Sequence, residues 1–182
     1  MTDTVLLADD DDALRETFRL WLGSEFEVRT AADGEAVLEA AGPEVDVLVL
    51  DRRMPGLSGD EALSALRERG DQTPVVMLSA ESADYGVAEH GFERYVTKPI
   101  DESELRAAIE DAMAIAEHTA GDAREFVRAA RARCALDESK PAAELVEHDV
   151  YDRLLETETT LEAQARAAHP DCEDCPVRSL LT

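Results

Sequence analysis

Lysine is almost missing from this chain: Lys98 and Lys140 are the only two in 182 residues. Basic residues total 18 against 42 acidic ones, and the formal net charge is −24. A surface that negative repels nucleic acid and anionic membranes unless a local basic patch intervenes, so nucleic acid is not the expected partner. Aromatic residues make up only 4% of the chain. No apolar run reaches the roughly 20 residues that span a bilayer, so membrane insertion is not expected. Met1-Thr-Asp-Thr passes straight into a strand-like run with no basic flank, which does not read as a signal peptide, and a cytoplasmic location is expected. Three cysteines in such a chain read as thiols or metal ligands in preference to structural disulfides.

What is present is more specific. Val45-Asp-Val-Leu-Val-Leu runs into Asp51 and then into a turn, Arg52-Arg-Met-Pro-Gly56. A run so apolar and β-branched reads as a buried parallel strand, and its last residue then stands at the carboxyl edge of a sheet, where open α/β folds place their ligands. Three further segments end in the same way. Thr4-Val-Leu-Leu-Ala8 leads into Asp9 and Asp10, Pro74-Val-Val-Met-Leu78 into Ser79, and Arg94-Tyr-Val-Thr97 into Lys98 and Pro99. Carboxylates, a hydroxyl and an ammonium are thereby predicted to converge on one rim. Asp11 and Asp12 continue the acidic run but read as the start of a helix, where negative charge complements the dipole.

Such a set suits phosphoryl chemistry. Mg²⁺ prefers hard oxygen ligands and keeps some of its waters, so Asp9, Asp10 and Asp51 are candidate donors, with Mn²⁺ as the alternative ion. A carboxylate can also act as nucleophile and carry an aspartyl phosphate when cations offset the incoming charge. In a chain that has nearly abandoned lysine, Lys98 supplies a compact ammonium where a guanidinium fork would not serve equally.

Through Asp9-Asp10, Asp51-x-x-Met-Pro-Gly56, Ser79-Ala80 and Tyr95-x-x-Lys98-Pro99, residues 3–118 resemble the receiver domain of two-component response regulators. The resemblance implies a flavodoxin-like fold and a phosphoacceptor at Asp51 served by a sensor histidine kinase. It implies metal ligation by Asp9, Asp10, Asp51 and the backbone carbonyl of Arg53, with Lys98 and Ser79 assisting the phosphoryl group and Ser79 and Tyr95 forming the switch. It also implies that the Arg53 side chain influences phosphoryl lifetime.

Strands and helices alternate from residue 3 to about 119, the pattern of a doubly wound, five-stranded parallel sheet. The first helix is predicted over Asp12 to Leu22, burying Leu14, Phe18 and either Trp21 or Leu22. A second strand follows over Phe26 to Thr30. The second helix opens at Asp33-Gly34, and the third runs from about Gly59 to Arg69. The fourth, within Ser82 to His90, is the weakest, because Gly86 in its interior costs about 1 kcal/mol against Ala. The fifth starts at Asp101 or Ser103 and lines up Leu105, Ala108, Ile109, Ala112 and Met113.

Gly121-Asp122 breaks the pattern, giving domains at 1–119 and 120–182. In the second, one helix is predicted over about Ala123 to Leu136 and another from near Pro141, a favoured first-turn residue. The latter carries a stripe of Val146, Val150, Leu154, Thr157, Leu161 and Ala165, a period suited to a helical hairpin or short coiled coil, and a homodimer through the fourth and fifth helices or the tail is a candidate assembly. Its place after a receiver-like segment resembles the HalX module of haloarchaeal regulators. The acid excess, with arginine replacing lysine, resembles proteins of extreme halophiles. In the tail, His169-x-x-Cys172-x-x-Cys175 is half of a zinc pattern, with Cys134 and His148 as candidate further ligands, but with one CxxC alone free thiols are the preferred reading, ahead of a redox pair and then of zinc. The last ~14 residues are expected to lack fixed structure. Arg124, Arg128, Arg131 and Arg133 make either a basic face for nucleic acid or a salt-bridged surface.

The resulting expectation is a phosphoacceptor signalling protein and not an enzyme acting on external substrates, with a downstream partner the sequence does not name. Two rivals differ from it. A haloacid-dehalogenase-like phosphatase places a second Asp two residues after its nucleophile, where this chain has Arg53. A DNA-binding transcriptional regulator needs a recognition helix, and no helix-turn-helix sequence is evident.

Overall fold

The computed structural model of the protein describes residues 2–88, 90–119, 121–145 and 148–168. By their internal contacts they form two compact units. The first comprises the described residues of 2–81 and 94–113, and the second those of 82–93 and 114–168.

In the first unit five parallel strands, β1 (Thr4–Ala8), β2 (Glu27–Ala31), β3 (Val47–Asp51), β4 (Val75–Ser79) and β5 (Arg94–Thr97), lie in the order β2-β1-β3-β4-β5. Reversal of the order beside β1 creates the switch point at which such sheets bind ligands. The three central strands are buried along their whole length, as their uninterrupted apolar runs require. Alternate residues form the core on one face. Val5, Leu7, Val47, Val49, Val76 and Leu78 pack with Phe18 and Leu22 of α1 (Asp12–Leu22) and with Leu105, Ala108, Ile109 and Ala112 of α5 (Glu102–His118). Leu14, Trp21 and Met113 are only partly buried at its margin. On the other face Leu6, Leu48, Leu50 and Met77 are fully buried, as are Val37 of α2 (Gly34–Ala40) and Ala62 and Leu63 of α3 (Gly59–Glu68).

Local signals set the helix starts. Asp11 caps α1 by accepting from Ala13 N and Leu14 N, and Asp33 caps α2 by accepting from Ala36 N. Ser58 and Glu61 form a reciprocal capping box at the start of α3.

The second unit is helical. The weak fourth helix is a single turn, α4 (Tyr85–Ala88). α6 (Asp122–Ser139) is longer at both ends than the periodicity predicted and packs along α8 (Asp149–Ala168), as in a helical hairpin. Ile115, Phe126 and Val127 form a small core joined by Leu161. The helix expected to run on from Pro141 is divided into α7 (Ala142–Leu145) and α8. His148 stands just before α8, and its Nδ1 accepts from Val150 N at 3.3 Å, which caps a new start. Of the predicted stripe Val150 is buried, whereas Val146 and Ala165 lie outside the described side chains. Among the described residues no helix is long and apolar enough to cross a membrane.

Candidate functional site

Pairing of Ala8 with Leu50 across β1 and β3 makes Asp9 and Asp51 neighbours at the carboxyl edge of the sheet. Both are buried. The pairing of Asp51 with Leu78, and of Ser79 with Thr97, brings the ends of β4 and β5 to the same level. Lys98 then reaches back across the rim. Its Nζ donates to Asp9 Oδ2 at 2.6 Å and to Asp51 Oδ1 at 2.5 Å, while its backbone N–H donates to Ser79 O at 2.7 Å. The peptide bond from Lys98 to Pro99 is cis.

Backbone groups hold the two carboxylates from the other side. Asp51 Oδ2 accepts from Arg53 N at 2.8 Å, and Asp9 Oδ1 accepts from Asp11 N at 2.9 Å. Ser79 is fully buried, with its Oγ accepting from Glu81 N at 3.0 Å. Tyr95 O–H donates to Glu81 O at 2.8 Å.

Two buried carboxylates share one ammonium, so negative charge is in excess. Burial raises the Asp51 carboxyl above the ordinary carboxylate range, and the neighbouring charge of Asp9 adds to this against the opposing pull of Lys98. For Lys98, burial pulls downward, but bonds to Asp51 and Asp9 outweigh it and hold the ammonium protonated beyond its usual range. Both shifts express one imbalance, which a further cation would relieve.

The donor chemistry fits Mg²⁺, which takes one or two carboxylates and keeps its remaining waters. The predicted trio is incomplete, however. Among the described residues no group of three or more His, Cys, Asp or Glu side chains is arranged to hold a metal. Asp10 is exposed at the start of the loop that follows β1. Cys134 is exposed and His148 is stacked on a tyrosine ring, whereas His169, Cys172 and Cys175 lie outside the described residues.

The two arginines after Asp51 have separate partners. Arg52 is buried, with Nε 2.9 Å from Asp60 Oδ2, and exposed Arg53 pairs with Glu81 at 2.9 Å. On α6, Arg124 and Arg128 pair with buried Glu93, whereas Arg133 pairs nearer the surface with Asp137 and Glu158.

Two contributors escaped the sequence reading. Glu81 gathers Ser79, Tyr95 and Arg53 through three different atoms, and its only signal was its place two residues after a strand end. Gly59 lies so near Asp51 that a Cβ there would stand 2.2 Å from its backbone O. Its signal was only that of a helix start.

The model of the response regulator receiver domain matches residues 5–110. A relative named as a putative transcriptional regulator in Haloferax volcanii is 37% identical over 165 residues, which cover 90% of this chain and 28% of that protein. The transcriptional regulatory protein CpxR of Escherichia coli is 38% identical over 109 residues, covering 58% of this chain and 47% of that one. The chain thus spans about half, or less, of the length of these relatives. Among solved structures, the chemotaxis protein CheY4 of Vibrio cholerae superposes with a TM-score of 0.57 at 28% identity, over 62% of this chain and 99% of its own.

Proposed function

The chain belongs to the response regulator receiver family, and from that premise we propose that Asp51 accepts a phosphoryl group from a sensor histidine kinase in a Mg²⁺-dependent reaction. As a receiver it is a phosphoacceptor signalling module and not an enzyme turning over external substrates. The observation that carries the proposal is the bridging of Asp9 and Asp51 by Lys98 at the switch point of the sheet. A carboxylate oxygen of Asp51 attacks phosphorus, the bond to the donor breaks, and the donor leaves with its electron pair. Lys98 loses a partner in the carboxylate and gains a phosphoryl oxygen, so its charge is used before and after transfer.

Asp9, Asp51 and the Arg53 carbonyl would hold the metal, with Asp10 contributing from the exposed loop. Bound there, Mg²⁺ supplies charge neutralisation for the phosphoryl oxygens. Ser79 Oγ donates to the new phosphoryl oxygen, drawing in the loop after β4, and Tyr95 follows. Arg53 occupies the place of an acid/base in haloacid-dehalogenase-like phosphatases. Its guanidinium is committed to Glu81, which supports the signalling role over hydrolysis of external phosphoesters.

The helical unit is the output or assembly module in this reading, resembling HalX. A match covering 90% of the chain is too long to be confined to the receiver segment, and this supports a relationship reaching into the C-terminal helices. Pairing of the α6 arginines with nearby acids favours protein over nucleic acid as the partner, with a second copy of the chain as one candidate.

The test is incubation with acetyl phosphate and Mg²⁺ followed by mass spectrometry. One phosphoryl group on Asp51 is expected, absent in Asp51→Asn and after chelation. Incorporation that persists in that variant would remove the assignment.

A further inference from the structure

Arg52, the residue after Asp51, is tied down through its backbone and its side chain together. Its backbone N–H donates to Leu78 O at 2.8 Å, and its carbonyl accepts from Gly59 N at 3.0 Å. Its side chain is buried, and Nε donates to Asp60 Oδ2 at 2.9 Å and to Oδ1 at 3.2 Å. One residue is thereby joined once to β4 and twice to the start of α3, which closes the base of the loop formed by residues 53–58. The loop is also held along its length. Met54 is buried, and Gly34 at the start of α2 approaches so closely that a Cβ there would overlap Leu57 O. Arg53 is the first residue inside the loop, and its N–H donates to Asp51 Oδ2 at 2.8 Å, so the base of the loop sets how that carboxylate is presented.

A buried ion pair is a weak source of stability, since apolar residues of similar volume do as well or better, and what it offers instead is a fixed geometry. The guanidinium is suited to this, because its hydrogen bonds to a carboxylate are charge-assisted and directional. Salt screens a buried pair far less than an exposed one, so of the two ion pairs on this loop Arg52–Asp60 persists where the open Arg53–Glu81 bridge weakens. We propose that Arg52 and Asp60 are positioning residues for the metal site, acting as one contact that holds the loop so that the backbone of Arg53 is fixed beside Asp51. The inference rests on the receiver reading given above, in which the Arg53 carbonyl is a metal donor. Neither side chain is itself a ligand, so losing the contact removes no donor; it removes the preorganisation of one, and metal affinity falls.

The experiment titrates the full chain with Mn²⁺ in molar KCl and counts the free ion by electron paramagnetic resonance, at a temperature where circular dichroism shows each variant folded. Binding that Asp51→Asn retains is the background of the acidic surface. Arg52→Met and Asp60→Asn are each expected to weaken Mn²⁺ binding by about tenfold. The double variant should bind no more weakly than either alone, the mark of two residues acting through one contact. Amide exchange of Arg53 should quicken in all three. Arg52→Met leaves a carboxylate that is partly exposed and stands in the first turn of α3, where the helix dipole favours it, so this variant keeps the test open if Asp60→Asn does not fold. Native affinity in Arg52→Met, and in Asp60→Asn where it folds, overturns the positioning role and leaves the Asp51 reading intact. A double variant in which the two losses add does the same, because the residues then act independently. Native protein that binds no more Mn²⁺ than Asp51→Asn overturns the metal site and the positioning role together.

Discussion

Arg53 and Glu81 are joined by a salt bridge of 2.9 Å that ties the residue two beyond Asp51 to the residue two beyond Ser79. Both side chains are 60% exposed, and a pair so open contributes little to stability, about 0–1 kcal/mol. Its place matters more than its strength, because it links the loops leaving two neighbouring strands on the rim that carries Asp51.

Arg53→Ala is therefore expected to leave the melting temperature nearly unchanged while altering phosphoryl lifetime. With the pair gone, water reaches the aspartyl phosphate more freely, and autodephosphorylation should speed by about threefold, or ~0.7 kcal/mol of barrier. Loss of radiolabel from the isolated phosphoprotein measures it. An unchanged rate in both Arg53→Ala and Glu81→Ala would show that the bridge does not guard the site.

Burial sets a pH dependence whose sign is fixed. The Asp51 carboxyl is raised above its unfolded value, first by burial, so its ionised form is less favourable in the folded protein than in the unfolded chain. That penalty is present at neutral pH and disappears as pH falls below the ordinary carboxylate range. Without divalent cations, Asp51→Asn is thus expected to be more stable than the native protein at neutral pH and to lose the advantage at acid pH. Urea unfolding at both pH values checks it; a less stable variant at neutral pH contradicts the charge imbalance described for the site.

Gly59 offers a steric test. A Cβ there would meet Asp51 O at 2.2 Å and Arg52 Cα at 3.1 Å, both backbone atoms that cannot swing away. Gly59→Ala should cost about 1–3 kcal/mol, as overpacking does, and should slow phosphorylation by displacing the acceptor. Equal stability and equal labelling would mean that the loop yields more readily than close packing allows.

Much of this architecture is legible in the chain because it depends on neighbours in sequence. Apolar runs ending on Asp9, Asp51, Ser79 and Lys98 carry period and polarity together, and register then brings their ends to one level. Asp11, Asp33 and Ser58 announce helix starts with their own side chains. Contacts across long separations left no such mark. Glu93 meets Arg124 across 31 residues and reads as one more surface acid in a chain full of them. Gly59 reads as a helix start until the third dimension shows how near it lies to Asp51. The stripe beyond Pro141 is continuous by period, but the interruption before α8 depends on a cap supplied by His148.

Charge composition yields a prediction about solvent. At about 0.1 M salt the Debye length is about 10 Å and at 1 M about 3 Å, so 24 net negative charges repel one another far less in concentrated salt. Adaptation to molar salt is the expectation this charge raises. Circular dichroism through a KCl series should show cooperative melting at molar concentration and its loss in dilute buffer. A melting temperature indifferent to salt rejects that adaptation.

Ser79 offers a test that separates the proposed acceptance of the phosphoryl group from the response to it. Ser79 is fully buried, and its Oγ already accepts from Glu81 N, while Glu81 O accepts from Tyr95 O–H. One short chain of bonds therefore runs from the end of β4 to β5, and redirecting Ser79 toward a phosphoryl oxygen must disturb each link. Ser79→Ala keeps Asp9, Asp51 and Lys98, so Mg²⁺-dependent labelling with acetyl phosphate is expected to continue. What it removes is the donor that would draw the loop inward, leaving Tyr95 on Glu81. Hydrogen exchange over residues 79–98 should then change with beryllofluoride in the native chain and stay constant in the variant. If Ser79→Ala responds as the native protein does, the signal leaves the acceptor by a route that bypasses this hydroxyl, and the bonds joining Ser79, Glu81 and Tyr95 are structural only.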